Sequence, residues 1–105
     1  MRIVISHTKS QAQMIQTIDR AFEDACQGLA LSPVKVTNPR KVWQGSVMTF
    51  SLTASMGFLK SPVSGTVEVT AQDIIVVADL GLLSKLIPNE TVQAAIKTRI
   101  QGLLT

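Results

Sequence analysis

Residues 47–80, VMTFSLTASMGFLKSPVSGTVEVTAQDIIVVADL, carry the alternation on which the fold turns. From Val47 to Ala54, Met48, Phe50, Leu52 and Ala54 fall on one face, and Val47, Thr49, Ser51 and Thr53 on the other, the period of two expected of a half-buried strand. Val63, Gly65, Val67 and Val69 alternate in the same way against Ser64, Thr66, Glu68 and Thr70. Between these runs, Met56-Gly57-Phe58-Leu59-Lys60-Ser61-Pro62 reads as a strand end and connection. Ala71-Gln72-Asp73 has the length of a hairpin loop. Ile74 to Leu80 is apolar on both faces as far as Ala78, which suits a strand in the sheet interior or under a helix.

Upstream of this region, Val34 and Val36 alternate with Lys35 and Thr37, Asn38-Pro39-Arg40-Lys41 reads as a turn, and Gln44-Gly45 is a weaker break. Further back the period lengthens. Met14, Ile15, Ile18, Ala21, Phe22, Ala25, Cys26 and Leu29 recur at three- and four-residue steps, one stripe of an α-helix that Gly28 and Ser32-Pro33 bring to an end. Before that helix, RIVI at residues 2–5 is a short β-branched strand leading into Ser6-His7-Thr8-Lys9-Ser10, where three residues can cap. Downstream, Pro88 and Asn89 open a second helix whose stripe is Val92, Ala95, Ile96, Ile100, Leu103 and Leu104. The order β-α-β-β-β-β-α predicts one α+β domain over residues 1–105. It is a two-layer sandwich, with an antiparallel sheet of four to five strands and both amphipathic helices on one face.

Composition narrows the function. Of 105 residues, 46% are hydrophobic and 16% charged, too apolar for a disordered chain. One Trp, three Phe and no Tyr leave no stacking platform for bases or sugars, and the basic residues behind the net charge of +3 are spread from Arg2 to Arg99. Nucleic acid is therefore not an expected partner. The trio Lys35, Arg40 and Lys41 reads as a solvated loop, with weak contact to anionic polymer or lipid headgroups as the alternative. A single cysteine allows no intrachain disulfide and no thiolate cluster. The opening MRIVISHTKSQAQ lacks the apolar core of a signal peptide, and no apolar stretch reaches the roughly 18 residues needed to span a bilayer. A cytoplasmic protein without cofactor or metal is the expectation.

Catalytic motifs are sparse. His7 beside Ser6 or Ser10 could be a general base, but nothing near it in sequence supplies the orienting acid, although the fold could bring Asp79 or Glu68 close, and a surface residue at the helix start is the plainer reading. Asp19 and Glu23 share a helical face that the pattern turns to solvent. Glu68, Asp73 and Asp79 would need to share a cleft to do acid–base work. Gly45, Gly57, Gly65 and Gly81 are isolated and form no phosphate loop. Cys26 lies on the apolar stripe and reads as a small core residue. Large apolar residues outside the stripes, Met56, Phe58 and Leu59 in one connection and Leu82, Leu83, Leu86 and Ile87 in another, either pack under the helices or form a contact patch.

The second half resembles the small polyhydroxyalkanoic acid (PHA) system, or granule-region, family of bacterial proteins. The resemblance is carried by the Phe-containing strand, Ser64 to Val69, the Ala-Asp-Leu-Gly-Leu-Leu segment Ala78 to Leu83, and the closing helix; the first half matches more loosely through His7-Thr8. It implies a non-enzymatic accessory role at polyester storage granules, with granule surface or granule proteins as partners and no catalytic residues to carry over. Met56, Phe58, Leu59, Leu82, Leu83 and Leu86 are then the candidate binding surface. Fewer charges than family members often carry mark a departure. A reading from another class is a small apolar-ligand carrier or enzyme. Its sheet and C-terminal helix would enclose a cavity lined by Met48, Phe50, Val67 and Val76. Homodimerisation through an edge strand or the patch is a third.

Overall fold

The computed structural model describes residues 1–27 and 35–104. Strand β1 (Arg2–Ser6) and helix α1 (Gln11–Gln27) are followed by β2 (Lys35–Gln44), β3 (Val47–Met56), β4 (Leu59–Val69) and β5 (Asp73–Asp79). A 3-10 helix (Gly81–Lys85) and helix α2 (Asn89–Leu103) close the chain. All strands pair antiparallel in one sheet of order β1-β5-β4-β3-β2. The predicted element order and two-layer α+β class are those observed.

Local sequence explains each junction. Ser10 and Gln13 cap α1 reciprocally, the Gln13 amide donating to Ser10 Oγ at 3.1 Å and the Ser10 amide to Gln13 Oε1 at 3.3 Å. Gly45-Ser46 and Gly57-Phe58 are two-residue hairpin loops. In each the first position is a glycine at positive φ, +60° and +62°, the geometry such loops require. The Met56 to Pro62 connection thus shrinks to two residues, and Leu59 to Pro62 extend β4.

One expected turn is a strand. Asn38-Pro39-Arg40-Lys41 lies inside β2, where the register against β3 shifts between Thr37 and Arg40 and Asn38 sits at φ +51°. Turn-forming residues here make a bulge in an edge strand, and Pro39, without an N–H, blunts that edge against pairing with another chain. The predicted end of α1 at Gly28, Leu29 and Ser32-Pro33, and Val34, fall outside the described residues.

Alternation fixes the covered face. On it lie Ile3 and Ile5 of β1, Met48 and Ala54 of β3, Val67 of β4 and Val76 of β5, all buried. On the opposite face Val4 and Val77 remain exposed. β5, apolar on both faces, lies between β1 and β4. Among the described residues, no helix is long and apolar enough to cross a membrane.

Candidate functional site

The buried residues form two clusters. One gathers β1, α1 and the ends of β4 and β5 around Ile5, Met14, Val69 and Ile74; the other gathers Ala54, Val63, Ala78, Leu80, Leu83 and Val92 around the 3-10 helix. Helix α2 joins both. Val92 near its start is buried in the second cluster and Ile100 near its end in the first, while Ala95 and Ile96 between them are only half-buried.

Members of both clusters line a cleft of about 700 Å³. Its floor is the sheet: Met48 and Phe50 of β3, Val67 of β4 and Val76 of β5, with Ala54 and Ala78. Ile18, Phe22 and Cys26 of α1 form one wall, Ala95, Ile96 and Arg99 of α2 the other, and Leu80 and Leu83 contribute beside the 3-10 helix. Ala94, Thr98 and Arg99 line it while exposed to solvent, which sets the mouth along α2. Small side chains on both sides, Ala54 and Ala78 below and Ala94 and Ala95 above, leave the volume unfilled by the described residues. Small-molecule sites occupy about 300–1,000 Å³.

The lining is almost wholly apolar. Among the described residues its polar side chains are Cys26, Thr98 and Arg99, and it holds no His, Asp, Glu or Lys. Among the described residues the lining offers no acid–base pair. Cys26, read as core, is half-buried on this wall; burial raises its thiol pKa, opposed by the charge of Lys41.

The other candidates resolve into structural roles. His7 is 8% exposed and so is no surface residue. Its Nε2 lies 2.9 Å from the Thr70 carbonyl, an acceptor only, so Nε2 carries the proton, and its backbone N–H donates to Gln72 O at 2.8 Å. These bonds tie the end of β1 to the β4–β5 hairpin. Its Nδ1 is buried without a partner among the described residues, and neither Ser6 nor Ser10 bonds to the ring: Ser6 donates to Asp73 Oδ1, and Ser10 caps α1. Asp79 Oδ1 accepts the Gly81 N–H at 3.0 Å. Asp73 and Asp79 stand at opposite ends of β5, about 20 Å apart by strand rise, and Glu68 is exposed. No shared carboxylate cleft forms from these three.

Asp19 and Glu23 do not simply face water, nor is Lys41 a loop residue. The Lys41 ammonium bridges both carboxylates at 2.7 Å, and the Trp43 indole donates to Asp19 Oδ1 at 2.8 Å. The hydrogen bonds from Lys41 and then Trp43 hold the Asp19 carboxyl below its ordinary pKa. Burial works to lower the Lys41 pKa, but its bonds to Asp19 and Glu23 outweigh burial and the net shift is upward. Lys35 and Arg40 are exposed.

The six candidate contact residues divide. Leu83 is a correction: it is 3% exposed and belongs to the second cluster, because the 3-10 helix turns it inward. Its N–H donates to Ser61 Oγ, which in turn donates to Leu80 O, so the 3-10 helix docks on the projecting start of β4. Met56 and Leu59 are half-buried, Leu82 and Leu86 are exposed, and Phe58 stands fully exposed at the tip of the β3–β4 hairpin.

Sequence reasoning placed Met48, Phe50, Val67, Val76 and the C-terminal helix around the cavity, but it missed the α1 wall and assigned none of the α2 residues to the lining. The available signal was an arginine, Arg99, four residues beyond Ala95 on an otherwise apolar stripe. Among the described residues no group of three or more His, Cys, Asp or Glu stands together to hold a metal ion. Comparison with protein-family models, curated proteins and solved structures returns no match to this chain.

Proposed function

We propose that this protein binds a small, predominantly aliphatic ligand in the cleft between its sheet and α2, as a carrier or sensor rather than a catalyst. The observation that carries this reading is the cleft of about 700 Å³ with an almost wholly apolar lining. Apolar surface left in water forfeits about 25 cal/mol per Å², a cost that an aliphatic guest removes. The test is titration with a solvatochromic apolar dye against the wild type and Ala95→Trp, whose indole would fill the space beside α2. Saturable binding by the wild type that the variant loses supports the cleft. Equal dye response in both, or none in the wild type, refutes it.

A second reading, contact with polyhydroxyalkanoate granules or their proteins, rests on the family resemblance and is favoured by the full exposure of Phe58, with Leu82 and Leu86 also exposed. The role would then be accessory, at the granule surface, with Met56 and Leu59 at the margin and a second copy of the chain as a competing occupant. Co-sedimentation with native granules tests it. Binding that Phe58→Ser abolishes supports the patch, and sedimentation equilibrium separates it from self-association.

A further inference from the structure

We infer that the cleft's ligand is an aliphatic monocarboxylate whose head is held by Arg99 at the mouth. This inference rests on the apolar-ligand reading above and adds the chemistry of the ligand's polar end. Arg99 is the one cation among the described residues that line the cleft, and no carboxylate accompanies it there. The ion pairs of the described residues are those of Lys41 with Asp19 and Glu23, so Arg99 has no protein counter-ion among them. Its position on α2 is not that of an ordinary solvent-face arginine. Residues 92, 96, 99 and 103 follow the three- and four-residue steps of one helical stripe that runs from buried Val92 through half-buried Ile96 to Arg99 and Leu103, both exposed. An arginine on that stripe, exposed yet lining the space, stands where the apolar interior meets water, within reach of a head group held there.

The geometry suits an amphiphile entering tail first. The chain lies over the sheet floor, and the head stops at the mouth, where a guanidinium can donate two parallel hydrogen bonds to a carboxylate. The exposed Thr98 hydroxyl, next in sequence and also on the lining, is available as a further donor. A monoanion is preferred over a phosphate because one cation matches one negative charge, and a dianionic head would bring a second charge without a partner. A neutral head would leave the guanidinium unused.

The experiment is calorimetric titration of the full chain with dodecanoate, dodecanol and dodecyl phosphate, each below its micellar concentration, repeated with Arg99→Gln. Because Arg99 is exposed, the variant is expected to keep the wild-type fold, which circular dichroism checks. The wild type should bind dodecanoate about five-fold more tightly than dodecanol, the size expected for a partly solvated ionic contact. The variant should lose that preference by weakening dodecanoate alone, with dodecanol unchanged. Equal wild-type affinity for dodecanoate and dodecanol, or a preference that survives Arg99→Gln, overturns the head-group assignment and leaves the apolar cleft standing. Tighter binding of dodecyl phosphate than of dodecanoate replaces the carboxylate with a phosphate head. Binding of none of the three overturns both the assignment and the cleft reading. Protection of Cys26 from alkylation by dodecanoate reports independently that the tail occupies this space, since the thiol lies on its wall. An unprotected thiol with bound dodecanoate places the ligand elsewhere.

Discussion

Gly65 pairs with Phe50 across β3 and β4, and its missing side chain is what lets β5 lie alongside. A Cβ there would drive into the Val77 carbonyl oxygen and meet Ala78 Cα at 2.9 Å and the Phe50 ring at 3.0 Å. Phe50 in turn packs on Phe22 of α1, with ring centroids 5.6 Å apart, so the glycine lets one ring lie low on the sheet and reach the helix. Gly57 has open space around it but a φ of +62°. The two glycines therefore respond differently to the same substitutions. Gly65→Ala should cost about 2–3 kcal/mol through overpacking, and Gly65→Asn more. At Gly57 the order reverses, because asparagine tolerates the left-handed region better than alanine. Urea unfolding of the four variants checks this; the same order of Ala and Asn at both positions would show that the close approach at Gly65 is not what the glycine serves. A second contrast tests core against surface. Leu83→Ser should cost about 2–5 kcal/mol, as for loss of a buried leucine, and Phe58→Ser less than about 0.5 kcal/mol. A large loss at Phe58 would mean that its exposed ring is held by contacts the fold depends on.

Among the elements, β2 is held to the molecule by charge as well as by pairing with β3. Lys41 and Trp43, two apart and so on one face of β2, reach Asp19 and Glu23, one turn apart on α1. The pH dependence follows from the shifts. Asp19 has a lowered folded pKa, so its contribution is present above its ordinary value near 3.8 and is lost as pH falls through that value toward the folded one. Lys41 has a raised folded pKa, so its contribution is present below 10.5 and is lost as pH rises beyond it. Stability from this cluster should be level between those limits. Asp19→Asn should flatten the acid limb when urea midpoints are followed from neutral pH to about pH 2; an unchanged limb would assign acid sensitivity to other carboxylates. The same strand shows where sequence reading fails. β3 and β4 are legible because one face is buried and alternation records it, and β5 because a short apolar run follows the hairpin-length loop Ala71-Gln72-Asp73. In β2 most positions are exposed, so nothing opposes the turn signal of Asn38-Pro39, and the same residues that form turns also form edge bulges. The partner of Lys41 was hidden for a related reason: an ion pair between residues about twenty apart leaves no periodic trace.

For the whole molecule, the cleft makes a statement about stability that its floor alone could not make. Alternation identified Met48, Phe50 and Val67 as inward-facing, but whether such residues meet a helix or a void depends on how far the helix stands off, which periodicity does not encode. Helix α2 is anchored at Val92 and Ile100 and spans the gap with Ala95 and Ile96, so apolar side chains of the described residues border open space there. Filling the space should therefore stabilise the fold by either of two routes. A ligand present at a hundred times its Kd adds about 2.7 kcal/mol by mass action, and for a domain of about 100 residues each kcal/mol raises Tm by about 4–8 °C. Ala95→Trp should supply part of that gain without ligand and forfeit the increment when ligand is added. Calorimetric melting of both proteins with and without dodecanoate measures all four terms. If Ala95→Trp melts lower than the wild type yet keeps the full ligand increment, the space beside α2 is not where the ligand binds. Non-additive gains, with either filler making the other redundant, are the outcome expected of one shared site.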